Sequence, residues 1–246
     1  MAGPFLDGVR YSRKEPVYGF IVSLALAFFG VLGIRRHVSG AEHIPARGGV
    51  IFACTHFSYV DFALLGWQVW ASHRRPMRYL ATRAAFRHPL IGPLMRGAGH
   101  VPVDRGSGSQ AYAEAVKTLQ AGEVLGIFPE GRVSLSYELL EFKTGAVRLA
   151  IESGAPVIPV VVWGSHRIST RGHRTRLREA FRAPVLIDIG APLHFAAGED
   201  VNEANRRLRA HMVAQMHGLQ RSPVLAPRAG AWWVPRRLGG SAPLQG

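Results

Sequence analysis

Six short apolar runs, at residues 50–54, 77–81, 101–103, 124–128, 157–162 and 185–189, alternate with stretches of helical periodicity. Runs of this length read as buried strands. Between them, Tyr112, Ala115, Val116 and Leu119 fall at i, i+3, i+4 and i+7, with Ser109 placed to cap the helix. Leu208, Met212, Met216 and Leu219 form a second stripe opposite Arg206, Arg207 and Arg209. Strands that alternate with helices join as parallel neighbours, because a parallel pair needs a crossover. The expected fold class is therefore α/β, a mostly parallel central sheet flanked by helices. Sites in such folds gather beyond the carboxyl ends of the strands. His56, Arg105 and Glu130 each follow an apolar run in that sense.

The chemistry-bearing residues concentrate at those strand ends. His56 and Asp61 follow the run 50–54, and a histidine with a carboxylate to hold its ring is the makeup of a general base. Each has a plainer reading beside it. Ser58-Tyr59-Val60-Asp61 also fits a helix capping box, and His56 a satisfied core histidine. In Phe128-Pro129-Glu130-Gly131, the proline removes a ladder donor and the glycine permits a tight bend. Glu130 is thus set at a sharp exit, to hydrogen-bond a hydroxyl or the chain's own amides. Arg105, past a short strand, suits bidentate phosphate recognition, or pairs with Asp104 on the surface. Gly106 to Ser109 add backbone amides but lack a Walker lysine. Lys143 precedes a helix expected over 146–153, whose N-terminus favours an anion.

The formal charge is +14, and 27 of the 30 basic residues are Arg. A general bias toward Arg accounts for abundance but not for clustering. Seven arginines fall between Arg74 and Arg105 against one acid, Asp104, and a second cluster runs from Arg167 to Arg182 against Glu179. An anionic partner follows: nucleic acid, a phospholipid surface or a phosphorylated substrate. Few aromatics interleave the clusters, so no nucleic acid is expected. Residues 17–34 carry no charge and would span about 27 Å as a helix, the lower limit for a bilayer. A spanning helix, one lying in a single leaflet and a buried core helix are all open to this segment. Its three glycines and the body that follows directly favour the half-embedded anchor. The single cysteine, Cys54, excludes an intrachain disulfide, reads as a small buried hydrophobe and fits a reducing compartment. The organisation expected is a basic segment and membrane-anchoring helix over 1–36, an α/β body over 37–221 and an extended Pro/Gly/Arg-rich tail over 222–246.

In order and spacing these segments resemble the glycerolipid acyltransferase family typified by bacterial 1-acylglycerol-3-phosphate acyltransferase. Its His-x4-Asp motif matches His56 to Asp61, its Gly-to-Arg motif Gly99 to Arg105, and its Phe-Pro-Glu-Gly motif Phe128 to Gly131. Its proline-containing apolar motif matches Pro156 to Val161, and a Phe-Lys-x-Gly follows the third motif at Phe142 to Gly145. Glu15 to Gly19 and Trp163 to Ile168 look most like the actinobacterial branch. Two departures bear on the acceptor: Arg132 stands where Thr is usual, and Thr82-Arg83-Ala84-Ala85 replaces a basic pair followed by Glu-Leu. The resemblance implies that His56 deprotonates the hydroxyl of a lysophospholipid acceptor while Asp61 holds the imidazole. Arg83, Arg105, Arg132 and Lys143 would bind its phosphate, with Glu130 and Gly131 also at the acceptor. The donor would be acyl-CoA or acyl carrier protein, with no metal and no cofactor, since a thioester is already activated. An acyl-enzyme through Cys54 or Ser134 is disfavoured, Cys54 by its apolar setting. The expected place of work is the cytoplasmic face of a phospholipid membrane. The acceptor expected is 1-acylglycerol 3-phosphate, giving phosphatidic acid; the rival readings are transfer to another lysolipid or to glycerol 3-phosphate, and a non-catalytic basic protein for lipid or nucleic acid.

Overall fold

The computed structural model describes residues 15–103 and 108–245. Its strands are β1 (Arg35–Ser39), β2 (Val50–Cys54), β3 (Met77–Thr82), β4 (Val101–Val103), β5 (Val124–Ile127), β6 (Val157–Trp163) and β7 (Pro184–Ile189). The helices are α1 (Pro16–Val31), α2 (Asp61–His73), α3 (Arg83–Arg87), α4 (Ile91–Gly97), α5 (Gly108–Gln120), α6 (Gly145–Ser153), α7 (Leu177–Ala180) and α8 (Val201–Gln220). Among the described residues the strands form one sheet in the order β1-β7-β6-β2-β5-β3-β4. Only the β6–β7 pairing is antiparallel, so β1 and β7 run against the other five.

Two apolar layers sandwich the sheet, and strand alternation sorts residues between them. Ile51 and Ala53 of β2 face α5, α6 and α8, whereas Val50, Phe52 and Cys54 face α1 and α2. Burial on both faces explains why β2, β5 and β6 read as unbroken apolar runs. β1 has no such run. It is a largely exposed edge strand, Arg-Arg-His-Val-Ser, recruited by its ladder with β7.

Four expectations change here. First, α1 is 16 residues long, about 24 Å by helical rise, and no described helix is long and apolar enough to cross a membrane. Its Tyr18, Val22, Leu26 and Phe29 are buried against the body, while Phe20, Leu24, Phe28 and Val31 are exposed. Second, β1 crosses the expected boundary at residue 36 and belongs to the sheet. Third, the segment from Ser222 is packed rather than extended: Leu225, Trp233, Val234 and Ala242 are buried in the layer that holds α8. Fourth, Ser109 lies inside α5 rather than before it.

Candidate active site

Parallel pairing brings the carboxyl ends of β6, β2, β5, β3 and β4 to one edge. His56 leaves β2 there, and its side chain is 20% exposed. Its Nδ1 points inward and lies 3.6 Å from Asp61 Oδ2, beyond hydrogen-bond length. Asp61 is fully buried at the first turn of α2. Its Oδ2 accepts the N–H groups of Phe57 at 2.9 Å and Ser58 at 2.7 Å. Its Oδ1 accepts the Ser165 hydroxyl at 2.6 Å. The reach back to Ser58 is half of a capping box; the Ser58 hydroxyl completes no box and donates to the Ser169 carbonyl instead. One carboxylate therefore both closes the turn and faces the imidazole.

The loop after β5 fixes the histidine from the other side. The Phe128 ring stacks on the His56 ring at 4.1 Å between centroids, and Tyr79 stacks behind Phe128. Tyr79 reaches that place across the neighbouring strand because Gly126 has no Cβ, which would come 2.4 Å from the ring. Glu130 is buried and turned inward. Its Oε1 accepts the His56 N–H at 2.8 Å and its Oε2 the Leu140 N–H at 3.0 Å. Of the two roles open to it from sequence, the structure shows the amides. Burial pushes its carboxyl up to about 7, against the pull of those two hydrogen bonds. Gly131 turns at φ 66°, and the Lys143 side chain lies where a Cβ would stand. Lys143 is tied in by its own N–H to the Pro129 carbonyl at 2.9 Å and immediately precedes Thr144, the cap of α6. Arg132 follows Gly131 with its side chain exposed.

Arg83 begins α3 beyond β3 and lines an open concavity of about 470 Å3 with Phe86, Arg87, Arg96, His100 and Pro102. His100 touches Tyr79 at 5.6 Å between centroids, so a run of rings joins this concavity to His56. Burial, with the Arg78 charge, drops the His100 pKa to about 4 and keeps it neutral. Arg105 lies outside the described residues. The arginine cluster around it divides. Arg78 is buried between Glu15 and Glu123, and Arg75 donates to the Pro45 and Gly122 carbonyls, so both serve the fold. The acyl-enzyme candidates are inert: burial raises the Cys54 thiol pKa well above its usual value, and the Ser134 hydroxyl donates to the Glu138 carbonyl at 2.7 Å.

Sequence reasoning missed the roles of Ser165, Phe128, Arg87 and Arg96. Ser165 lies 104 residues beyond Asp61 and carries no local mark of its partner. Among the described residues no cluster of His, Cys, Asp and Glu is grouped to hold a metal ion.

Fold and site together define an α/β protein with a histidine–carboxylate pair at the carboxyl edge of the sheet, flanked by arginines. Comparison with known proteins narrows the class. Residues 35–163 match the model of the Acyltransferase family. A 1-acyl-sn-glycerol-3-phosphate acyltransferase of Bacillus subtilis is 31% identical over 170 residues, covering 68% of this chain and 78% of its own length. One from Cocos nucifera is 30% identical over 186 residues, 74% of this chain; the aligned part is 56% of that longer protein. The crystal structure of the 1-acyl-sn-glycerophosphate acyltransferase of Thermotoga maritima superposes with a TM-score of 0.69 at 21% identity, covering 87% of this chain and 85% of that one. The chain belongs to the acyltransferase family, and its fold is that of the Thermotoga structure.

Proposed function

We propose that the protein moves a fatty acyl group from a thioester donor, acyl-CoA or acyl carrier protein, to the free hydroxyl of 1-acylglycerol 3-phosphate, giving phosphatidic acid. The observation that carries this reading is the His56–Asp61 pair, 3.6 Å apart at the strand ends, with an arginine-lined concavity beside it. With Nδ1 turned toward Asp61, Nε2 is the ring atom that takes the acceptor's hydroxyl proton. The freed oxygen attacks the thioester carbonyl, the tetrahedral adduct collapses, the C–S bond breaks, and the departing thiolate recovers the proton from His56. A buried carboxylate favours the imidazolium formed on the way, and the pair tightens as substrate engages. Arg83, Arg87 and Arg96, with Arg132 and Lys143 on either side of the turn at Gly131 and, on the sequence motif, Arg105, supply cations for the acceptor phosphate. Glu130 acts through the backbone, holding His56 rather than substrate.

The acceptor is named from the relatives, whose names give 1-acylglycerol 3-phosphate. A water-insoluble acceptor requires the site to work at a membrane. The exposed apolar residues of α1, with Phe62 of α2 beside the helix and with exposed Leu90 and Ile91, fit a protein lying on the cytoplasmic face of a bilayer. The test is incubation of the purified full chain with lysophosphatidic acid and radiolabelled acyl-CoA, beside glycerol 3-phosphate as competing acceptor. Labelled phosphatidic acid is expected from wild type and not from His56→Ala. Labelling of glycerol 3-phosphate alone would overturn the acceptor assignment, and no transfer to either would overturn the reading.

A further inference from the structure

A second basic concavity lies on the opposite flank of His56. It is a cavity of about 330 Å3 whose lining includes Arg167, Pro184, Leu225, Arg228 and Trp233. Strand order fixes its place. β7 starts at Pro184, antiparallel to the end of β6, so Arg167 and Pro184 share the sheet edge of His56 and Glu130. In the order β7-β6-β2-β5-β3, the Arg83 concavity lies two strands to one side of β2, and this cavity one to two strands to the other. At a strand spacing of about 4.8 Å, each stands roughly 10 Å from the base along the sheet.

Some arginines of this chain are paired with acids: Arg78 with Glu15 and Glu123, Arg207 with Glu199, Arg237 with Glu138. The Arg167 guanidinium lies over the Trp233 ring, 5.0 Å from its centroid. The ion pairs among the described residues include neither Arg167 nor Arg228. Glu179, whose charge reaches Arg167, is itself held by the His173 ring and the Arg176 N–H. Burial, then the like charge of Arg228, lowers the Arg167 pKa. Two like charges on one partly desolvated wall are stabilised by an anion between them. Arg167 also ends the short turn that begins at Ser165, whose hydroxyl holds Asp61, so the cavity is built onto the support of the base.

We infer that this cavity binds the phosphorylated nucleotide head of the acyl donor, placing the donor's phosphates and the acceptor's phosphate on opposite sides of His56. The assignment rests on the acyl-transfer reading above. Both the thioester carbon and the acceptor oxygen must meet at His56, so two phosphorylated substrates need separate cationic seats. Coenzyme A carries a phosphoadenosine diphosphate at the end of an arm long enough to cross two strands. A carrier protein presents the same arm without the nucleotide, so the cavity selects the coenzyme A thioester.

The test uses the full chain and Arg228→Gln, an exposed position whose change leaves the core alone. Binding of adenosine 3′,5′-bisphosphate is measured by calorimetry, which needs no turnover and so stands even if acyl transfer fails. Wild type is expected to bind the bisphosphate more tightly than inorganic phosphate, and Arg228→Gln about tenfold more weakly than wild type. In turnover assays the variant's KM for acyl-CoA should rise by a similar factor, while that for an acyl-pantetheine thioester, which lacks the nucleotide, should not. Equal binding of the bisphosphate by both proteins, or equal affinity for bisphosphate and phosphate, overturns the assignment. Weakened binding to phosphatidylglycerol vesicles with an unchanged acyl-CoA KM also overturns it, making the site a seat for lipid headgroups.

Discussion

At the scale of single residues, the site is a set of carboxylates spent on backbone amides to hold one imidazole. His56→Ala should leave a folded protein with turnover lowered about 10²–10⁴-fold, the usual worth of a general base; circular dichroism with an acylation assay checks it, and retention of a tenth of the rate removes His56 as base. Asp61→Asn should lower both stability and turnover per folded molecule. Phe57 and Ser58 both donate to Oδ2 and Ser165 donates to Oδ1. An amide offers one acceptor where two are needed, at a cost of about 1–3 kcal/mol. Unchanged turnover per folded molecule would reduce Asp61 to a helix cap. Glu130→Gln opposes an NH2 to either the His56 or the Leu140 amide, so kcat should fall while the acceptor KM holds. A raised acceptor KM would restore Glu130 to the substrate. The same residue carries a pH signature. Its folded pKa, about 7, lies above the ordinary 4.5, so the unfolded chain releases the proton first as pH rises. Its contribution to stability is therefore full at low pH and is lost between those values, on the order of 3 kcal/mol in all. Urea unfolding of wild type and Glu130→Gln at pH 5 and pH 8 should show the smaller pH difference in the variant. The nearness of His56 and Asp61 was legible because both follow closely on the apolar run of β2. The direction of Glu130 was not, because the amide of Leu140 comes from a loop that only tertiary folding brings to it.

At the scale of elements, visibility followed burial. β2, β5 and β6 lie inside the sheet, covered on both faces, and their apolar runs announce them. β1 is an edge strand of charged and polar residues, and nothing in Arg35 to Ser39 alone separates it from a loop. The reversal at β7 was equally silent, since an apolar run carries no direction. α1 was read as uniformly apolar, and it is; packing then makes its two faces unequal. Tyr18, Val22, Leu26 and Phe29 belong to the core, and Glu15 pairs with buried Arg78. Removing residues 1–34 should therefore destabilise the body, not merely detach it. The cleaner test is Leu24→Glu with Phe28→Glu, on the exposed face. Exposed substitutions typically change stability by about 0.5 kcal/mol or less, so the melting temperature should hold while liposome flotation weakens. Undiminished flotation at both low and high salt would show that α1 does not meet the bilayer.

At the scale of the whole molecule, the arginine excess divides between scaffold and surface, and the chain's last segment joins the support of the site. The sequence of that segment, rich in Pro, Gly and Arg, gives no periodicity to read, yet its Trp233, Val234 and Ala242 pack where α8 and β6 leave apolar surface uncovered. From there a chain of contacts runs to the base. His166 is fully buried, its Nε2–H donates to the Trp233 carbonyl at 2.9 Å, and its ring stacks on Tyr137. Burial lowers its pKa to about 3, so it stays neutral, with its one N–H on Nε2. His166 is the middle of the turn that begins with Ser165, the hydroxyl on Asp61. Truncation after Arg221 would expose the ring of Trp163 and its neighbours, orphan the His166 donor and loosen the Ser165 turn. Loss of one large core side chain commonly costs about 3–5 kcal/mol, and an unsatisfied buried donor about 1–3 kcal/mol more, a large share of a domain's stability. The truncated chain is expected to melt far below the full chain or to aggregate. A milder variant separates fold from function: Val234→Ala keeps the Trp233 ring and its backbone carbonyl and removes only two buried methyl groups, so it should fold with a modest loss of stability and retain turnover. A truncated protein with an unchanged melting temperature and full activity would show that the segment is an appendage and that the turn holding Asp61 stands without it.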